Sequence, residues 1–441
     1  MNWTTEQIIA LAPDAASAKA GQGLAAARKW LSLGADEQAV WGMCQGSGKD
    51  PYQAQIDLTE PAFRCSCPSR KFPCKHGLGL FLLLAAQPTA FKEKKPPDWV
   101  LEWMASRAKR AEQRAEKQTR AEAGEKIVDE AAQAKRAASR EAKVAAGLRD
   151  LGLWLRDIAR GGLAAVGSQP PKFWERTAAR LVDAQAPGVA RLVREMAGVP
   201  ASGEGWEARL LERLGKLYLL TEGFKRIAEL PEDTQADIRA LIGWTQNQDE
   251  LLRLDGTRDR WLVLGQRVEE EDRLRVQRVW LWGERSGRVA LILHFAHGQQ
   301  PLDASFVIGA AIDAELAFFP GAHPLRAIVK QRHGAPAPPE RISGYSKIID
   351  AHEAFTSAMA ANPWLEKFPM SLLNVTPLRR GDAWFVRDVE GRALKLAPRF
   401  ESGWTMLALS GGRGIDVFGE WDGDHLWPLS AFHENRFAKF G

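Results

Sequence analysis

The sequence predicts an α+β protein, because its helical and its strand-like apolar patterns occupy different stretches of the 441 residues. Apolar side chains follow helical spacing between 147 and 248, whereas they alternate with polar ones after 249. Residues 96–146 are rich in alanine, arginine, lysine and glutamate, which predicts a long charged helix. The expected fold is a small N-terminal ββα domain, a long charged helix, a helical domain and a C-terminal antiparallel β-rich region.

These patterns divide the chain into four expected regions. The N-terminal domain covers 1–95, the charged Ala-rich helical linker 96–146, the helical domain 147–248 and the β-rich region 249–441. The break Ala335–Pro339 would divide the last region near 334–345. Lys+Arg 60 against Asp+Glu 55 gives a formal net charge of +5, which is less basic than dedicated nucleic-acid binders.

Three of the four cysteines, joined by a histidine, form the main candidate site: Cys65, Cys67, Cys74 and His76. Thiolate and imidazole ligands in a C-x-C and C-x-H arrangement suit a tetrahedral zinc ion. Four protein ligands leave no open position for a reactive water, so the sequence predicts one structural zinc rather than a catalytic one.

Each half of this cluster has a local structural reason. The C-x-C pair is followed by Pro68–Lys71, which supplies a turn. Pro73 precedes an apolar run that predicts a helix from Lys75 to about Ala86, with Cys74 and His76 at its opening turn. Before the cluster, Val40–Cys44 and Tyr52–Leu58 have the composition of two strands joined by the turn Gly46–Asp50.

Residues Val40–Ala86 resemble the SWIM zinc finger, a strand-strand-helix module of Swi/Snf-type ATPases, Mutator-type transposases and stand-alone bacterial proteins. The resemblance implies a zinc-stapled ββα finger, about 40–86, in which Cys65, Cys67, Cys74 and His76 are the ligands. It also implies binding of nucleic acid or of other proteins. Relatives encoded beside MoxR-type AAA ATPases and von Willebrand A proteins make those two classes the expected partners.

Other interpretations of the cysteines are weaker. Neighbouring C-x-C thiols would form a strained disulfide, and the chain shows no signal peptide. We therefore expect a cytoplasmic protein with no membrane partner. Cys44 is expected to be a small buried residue that does not bind the metal. His294 and His297 lack nearby cysteines and lie three apart on an expected strand, so a second metal site is not expected there.

The remaining elements are expected as follows. Asp14 caps a helix that continues to Leu33 and ends at Gly34. Strands are expected at Trp261–Val268, Leu274–Trp282 and Arg288–Phe295, with another at Ser305–Asp313. The tail predicts a meander that forms a small barrel or a half-open sheet, in the same sheet system as residues 250–333. Its expected strands are Trp384–Asp388, Ala393–Leu396, Trp404–Leu409, Ile415–Trp421 and Leu426–Leu429.

No catalytic motif is present in the sequence, which favours a non-enzymatic function. The favoured hypothesis is an adaptor that uses the finger as a structural module and other surfaces to bind proteins. The alternative is a nucleic-acid-binding finger in which Arg64, Arg70, Lys71 and Lys75 contact phosphates. Those cations also have a structural explanation, because three thiolates and one zinc ion leave a net negative site that they would balance. An enzyme in the β-rich half remains a third hypothesis.

Overall fold

The computed structural model describes most of the chain: residues 3–46, 50–59, 62–69, 71–92, 95–109, 130–244, 247–271, 274–297, 300, 302–334, 336, 342–434 and 436–440. Within these ranges the protein has the predicted α+β architecture: an N-terminal finger domain, a helical bundle and a C-terminal β-rich region. Ser47–Lys49 of the predicted turn and residues 110–129 of the predicted charged linker lie outside them.

The N-terminal domain is a four-stranded antiparallel sheet covered by helices. Its strands follow the order β1-β2-β3-β4. The helices are α1 (Thr5–Ala10), α2 (Ala15–Gln22) and α3 (Lys75–Ala86), and the strands are β1 (Trp30–Ala35), β2 (Ala39–Cys44), β3 (Tyr52–Asp57) and β4 (Ala62–Cys65). The two predicted strands and the predicted helix after Cys74 are confirmed.

The helix predicted from Asp14 to Leu33 is wrong in its second half. It ends at Gln22, and Trp30–Ala35 forms β1, which pairs with β2. The apolar residues of this run fit both the helical period and the strand period, and pairing with β2 selects the strand. Gly34 is required in this strand because the Trp41 ring lies 2.3 Å from where a Cβ would sit.

Helix α3 is the core of this domain. Its residues from His76 to Leu83 are buried, and Leu80, Phe81 and Leu83 pack against Val40 and Ile56 of the sheet. Helices α2 and α3 approach closely at glycines: a Cβ on Gly21 of α2 would lie 2.8 Å from Cβ of Leu78 of α3. The all-round apolar sequence of α3 is explained by this burial and not by a membrane. Every helix within the described ranges is too short or too polar to span a bilayer.

A helical bundle follows. Residues 98–109 form α4, whose Val100 packs with Ala39 and Trp41 of the N-terminal sheet. Helix α5 (Glu130–Gly161) enters the bundle with Val144 already buried in its core. The predicted boundary between residues 146 and 147 therefore falls inside a continuous helix. The other helices are α6 (Leu163–Gly167), α7 (Pro171–Asp183), α8 (Pro187–Met196), α9 (Trp206–Lys225), α10 (Glu232–Ile242) and α11 (Gln248–Leu251).

The first part of the β-rich region is a closed five-stranded barrel with the order β5-β6-β7-β9-β8. Its strands are β5 (Thr257–Glu271), β6 (Leu274–Gly283), β7 (Val289–His297), β8 (Ala311–Phe318) and β9 (Arg326–Arg332), and only β7 and β9 pair in parallel among these described strands. The first three strands are as predicted. The fourth begins at Ala311 rather than Ser305, and β9 was not predicted.

The tail forms a second, separate sheet rather than part of the barrel. Its order is β12-β11-β10-β13-β14-β15. The elements are α12 (Ile348–Ala361), β10 (Phe368–Arg380), β11 (Ala383–Arg387), β12 (Ala393–Lys395), α13 (Gly403–Ser410), β13 (Ile415–Trp421), β14 (Leu426–His433) and β15 (Arg436–Lys439). The expectation that the tail joins the sheet system of residues 250–333 is therefore wrong.

The strand predicted at Trp404–Leu409 is also wrong, because this segment is helix α13. The buried positions are Gly403, Met406 and Ser410, which follow helical spacing, and Gly411 ends the helix at φ 55°. An apolar run this short fits both the helical period and the strand period. Close packing of Gly403 on the Trp384 ring selects the helix.

A buried charge cluster joins the barrel to the second sheet. Glu420 on β13 has no exposed side-chain surface and accepts hydrogen bonds from Arg278 (2.9 and 3.0 Å) and from Nε1 of Trp280 (2.9 Å). Arg278 also contacts Glu269 at 2.6 Å. Burial opposes the charge on Arg278, but the hydrogen bonds from Glu269 and Glu420 outweigh it and raise the pKa of the guanidinium. The charges are therefore mutually satisfied inside the interface.

We expect Glu420→Gln to destabilise the β-rich region strongly. The substitution leaves Arg278 charged and buried with one partner fewer, which costs about 3 to 5 kcal/mol. The matched control is Asp313→Asn, which removes a solvent-screened surface pair with Arg258 and should cost far less than the loss at Glu420. Urea unfolding followed by tryptophan fluorescence measures both. Equal, small losses in the two variants would contradict this account of the interface.

Candidate metal centre

The first two cysteines lie where β4 ends and the chain turns. Cys65 is the last residue of β4, and the next residue, Ser66, bonds twice with Gln53 of β3. Its N–H donates to the Gln53 carbonyl (3.0 Å), and its hydroxyl accepts from the Gln53 N–H (2.9 Å). These bonds hold the turn against the sheet, so that Cys67 returns toward Cys65.

The second pair lies at the start of α3. Cys74 is the N-cap residue, with extended backbone angles, and His76 follows within the first turn. Cys74 and His76 are 5% and 4% exposed, whereas Cys65 and Cys67 are half-buried. The Tyr52 ring packs against the His76 ring at 4.9 Å and holds its orientation. The sequence alone did not indicate this contact.

The four donor atoms converge. All lie within 4.8 Å of one another, and Nδ1 of His76 is 3.8 Å from Sγ of Cys65 and 4.0 Å from Sγ of Cys74. A tetrahedral ion with Zn–S bonds of about 2.3 Å places its donors about 3.5 to 3.8 Å apart. The arrangement therefore fits one zinc ion bound by three sulfurs and by Nδ1 of the histidine.

The donor groups of the cluster shift one another's pKa. Hydrogen bonds from Cys65 and Cys74 hold the pKa of Cys67 well below its usual range, and the hydrogen bond with Cys67 raises the pKa of Cys65. Burial opposes a charge on His76, but hydrogen bonds with Cys67 and Cys74 raise its pKa to about 9. Without metal, these groups therefore share protons, which a zinc ion displaces when it binds.

Cys44 does not belong to the cluster. It is buried on β2, and its thiol donates to the carbonyl of Lys29 at 3.5 Å. Burial raises the pKa of this thiol, so that it stays protonated. The expectation of a small buried residue agrees with this position.

The four cations predicted to contact phosphates have different surroundings. Arg64 on β4 and Lys75 at the start of α3 are exposed, whereas Arg70 lies outside the described residues. Lys71 is exposed but forms an ion pair with Asp14 at 2.6 Å, across the gap to α2. The hydrogen bond from Lys71, with that from Ser17, lowers the pKa of Asp14 to about 2. Lys71 therefore has an intramolecular partner.

No second metal site is found among the described residues, where the Cys65, Cys67, Cys74 and His76 group is the one cluster of at least three potential ligands. His294 and His297 lie on β7, in register with Gln277 and Leu274 of β6. Neither of these neighbours supplies a thiolate or carboxylate, so the pair does not form a zinc site.

We expect Cys74→Ser to lose its zinc, because the site then lacks one of three thiolates. The wild-type chain should bind one equivalent, and Cys44→Ala should retain it at a packing cost on the order of 1 kcal/mol. Elemental analysis of the purified proteins measures the metal content. Zinc retained in Cys74→Ser, or lost in Cys44→Ala, would show that the ligands are assigned wrongly.

Comparisons with known proteins agree with this geometry. A family model of the SWIM zinc finger matches residues 64–85, and one of the SWIM-associated four-helix bundle domain matches residues 139–242. No curated protein and no solved structure shows significant similarity to the chain. The two matches cover the metal cluster and the bundle from residue 139, within α5, to the end of α10. The chain therefore carries a SWIM zinc finger with one structural zinc site, together with the SWIM-associated four-helix bundle domain.

Proposed function

We propose that the chain is a non-enzymatic adaptor in which the zinc holds an N-terminal recognition domain together and the helical bundle binds a protein partner. The metal site supports the non-enzymatic part of this proposal. Its four ligands complete a tetrahedral shell, so no coordination position remains for a water molecule or a substrate.

The observation that carries the adaptor proposal is an apolar surface on α9, the α9 stripe, formed by Leu211, Gly215, Tyr218 and Leu219. The three large side chains are 60%, 40% and 42% exposed, and a Cβ on Gly215 would meet nothing within 4 Å. The opposite face of α9, with Leu210, Leu214 and Leu217, fills the bundle core. Apolar side chains grouped on one exposed helix face are typical of protein-binding surfaces.

Two partner classes follow from the resemblance to bacterial finger proteins: a MoxR-type AAA ATPase and a von Willebrand A protein. Both are proteins, which agrees with an apolar rather than a strongly basic contact surface. The formal net charge of +5 over 441 residues also favours a protein partner over a general nucleic-acid function.

The alternative function is nucleic-acid binding by the finger. Arg64 and Lys75 are exposed beside the metal site and favour it. The Lys71–Asp14 ion pair argues against it, because a phosphate would have to displace a carboxylate at 2.6 Å. Balance of the negative metal site explains the remaining cations equally well. We therefore expect only weak duplex DNA binding, with a dissociation constant of about micromolar or above at physiological salt.

We expect the full-length protein to bind a MoxR-type ATPase or a von Willebrand A protein encoded beside it, through the α9 stripe. The double variant Leu211→Ser and Tyr218→Ser should weaken this complex at least tenfold, since buried apolar anchors supply most of the free energy of such interfaces. Leu254→Ser, which changes a side chain that is 53% exposed outside the bundle, is the matched control and should bind normally. Isothermal titration calorimetry measures the affinity.

Two results would contradict the proposal. One is an affinity for both candidate partners that is undetectable, or that the double variant leaves unchanged. The other is a nanomolar complex with duplex DNA whose salt dependence decreases in an Arg64→Gln and Lys75→Gln variant, which would assign DNA binding to the finger.

A further inference from the structure

The outer face of strands β10, β11 and β12, here called the cationic sheet face, carries Leu378, Arg380, Phe385, Arg387 and Lys395. Register places these residues on one side of the sheet: Leu378 lies opposite Phe385, and Phe385 lies opposite Lys395. Arg380 and Arg387 are two residues further along their strands, so they point the same way. The three cations are exposed, and the two apolar side chains are half-buried.

The other side of these strands faces the core. Val386 and Leu394, which alternate with the residues above, are buried in the hydrophobic core beneath α12 and α13. Leu378 and Phe385 belong to none of the hydrophobic cores in the described part of the chain. The cationic sheet face is thus an uncovered surface with an aromatic ring near its centre.

The positive charge on this face is not balanced locally. Arg380, Arg387 and Lys395 form no ion pair with any described carboxylate. The nearest acids are already engaged: Asp382 pairs with Arg379, and Glu390 pairs with Lys347 and Arg392. Asp388 accepts hydrogen bonds from backbone amides, including that of Ile348. The face therefore offers three cations to an anionic partner.

The arrangement of cations around the ring favours one kind of anion. The Arg380 guanidinium lies 5.9 Å from the centre of the Phe385 ring, and Lys395 is its neighbour on the other side. Neighbouring strands are about 4.8 Å apart, so the cations on β10 and β12 flank the ring across about 10 Å. Single-stranded nucleic acid presents both a phosphate backbone and free base faces, whereas the base faces of a duplex are stacked and inaccessible.

A shallow cleft beside Arg387 extends this surface. It has a volume of about 410 Å³ and is lined by Asn374, Thr376, Arg387, Val389 and Gly391, together with Asp388 and Glu390, the two acids already engaged as described above. Amide and hydroxyl groups at this position supply donors and acceptors for a base edge. We propose that the cationic sheet face binds single-stranded nucleic acid, with Arg380, Arg387 and Lys395 contacting phosphates and Phe385 stacking on a base.

This site is remote in sequence from the finger and independent of the partner-binding proposal. The probe is a fluorescein-labelled oligothymidylate, titrated with full-length, zinc-loaded protein and followed by fluorescence anisotropy at several salt concentrations. We expect Arg387→Gln with Lys395→Gln to weaken binding at least tenfold. The slope of log affinity against log salt should fall in magnitude by roughly 1.4, about 0.7 for each lost phosphate contact.

A second variant separates stacking from charge. Phe385→Leu keeps an apolar side chain on the sheet but removes the ring, and we expect roughly tenfold weaker binding with an unchanged salt slope. The matched charge control is Arg149→Gln with Arg180→Gln, two exposed arginines of the bundle, which should leave the affinity unchanged. Circular dichroism and zinc content show that each variant is folded.

Three results would overturn the proposal. The first is absence of binding to the oligothymidylate, and the second is an affinity that the sheet variants leave at the wild-type value. The third is poly-glutamate competing as well as unlabelled oligothymidylate, which would identify the face as a site for acidic proteins.

Discussion

The N-terminal domain depends on four metal ligands that join the end of a strand to the start of a helix. The domain contains short strands of four to six residues, and α3 is buried among them. A core of this size supplies little net stability by itself, and a structural zinc compensates for it. Because Cys74 and His76 lie on the first turn of α3, the ion fixes this helix relative to β4. With its start fixed in this way, α3 packs its apolar residues on the sheet.

The β-rich half is held together differently. There, two sheets meet through apolar side chains and a buried charge cluster around Glu420, which is satisfied by Arg278 and Trp280. Such a cluster gives specificity of docking at a cost in desolvation. Both halves therefore use a few polar groups at fixed positions to orient apolar elements. Surfaces such as the α9 stripe and the cationic sheet face remain outside these contacts.

The elements whose conformation is determined by residues close in sequence could be predicted from the sequence. The ligands Cys65, Cys67, Cys74 and His76 form a compact pattern, and α3 begins and ends where its apolar run does. The apolar residues of the bundle helices and of the first barrel strands repeat with one period over a long stretch, which makes these elements predictable. The conformation of short segments could not be predicted in the same way. The apolar residues of β1 and α13 fit both the helical and the strand period, and only contacts with distant residues select one of the two conformations.

Other features depend on contacts between distant residues. Strand β10 contains Pro369 and Pro377, which argue against a strand, yet each lies where β10 has one neighbour: β13 beside Pro369 and β11 beside Pro377. The Lys71–Asp14 pair joins two elements that are far apart in the chain. The cationic sheet face exists only because register aligns residues from three strands. None of these could be inferred without the fold.

The central claim is that zinc organises the N-terminal domain and leaves the rest of the chain independent of it. Hydrogen exchange measured by mass spectrometry, with and without a zinc chelator, tests this most directly. The account predicts that chelation removes protection from β1–β4 and α3, while α5–α10 and the strands of both C-terminal sheets keep theirs. Unchanged protection in α3 after complete removal of zinc would contradict it.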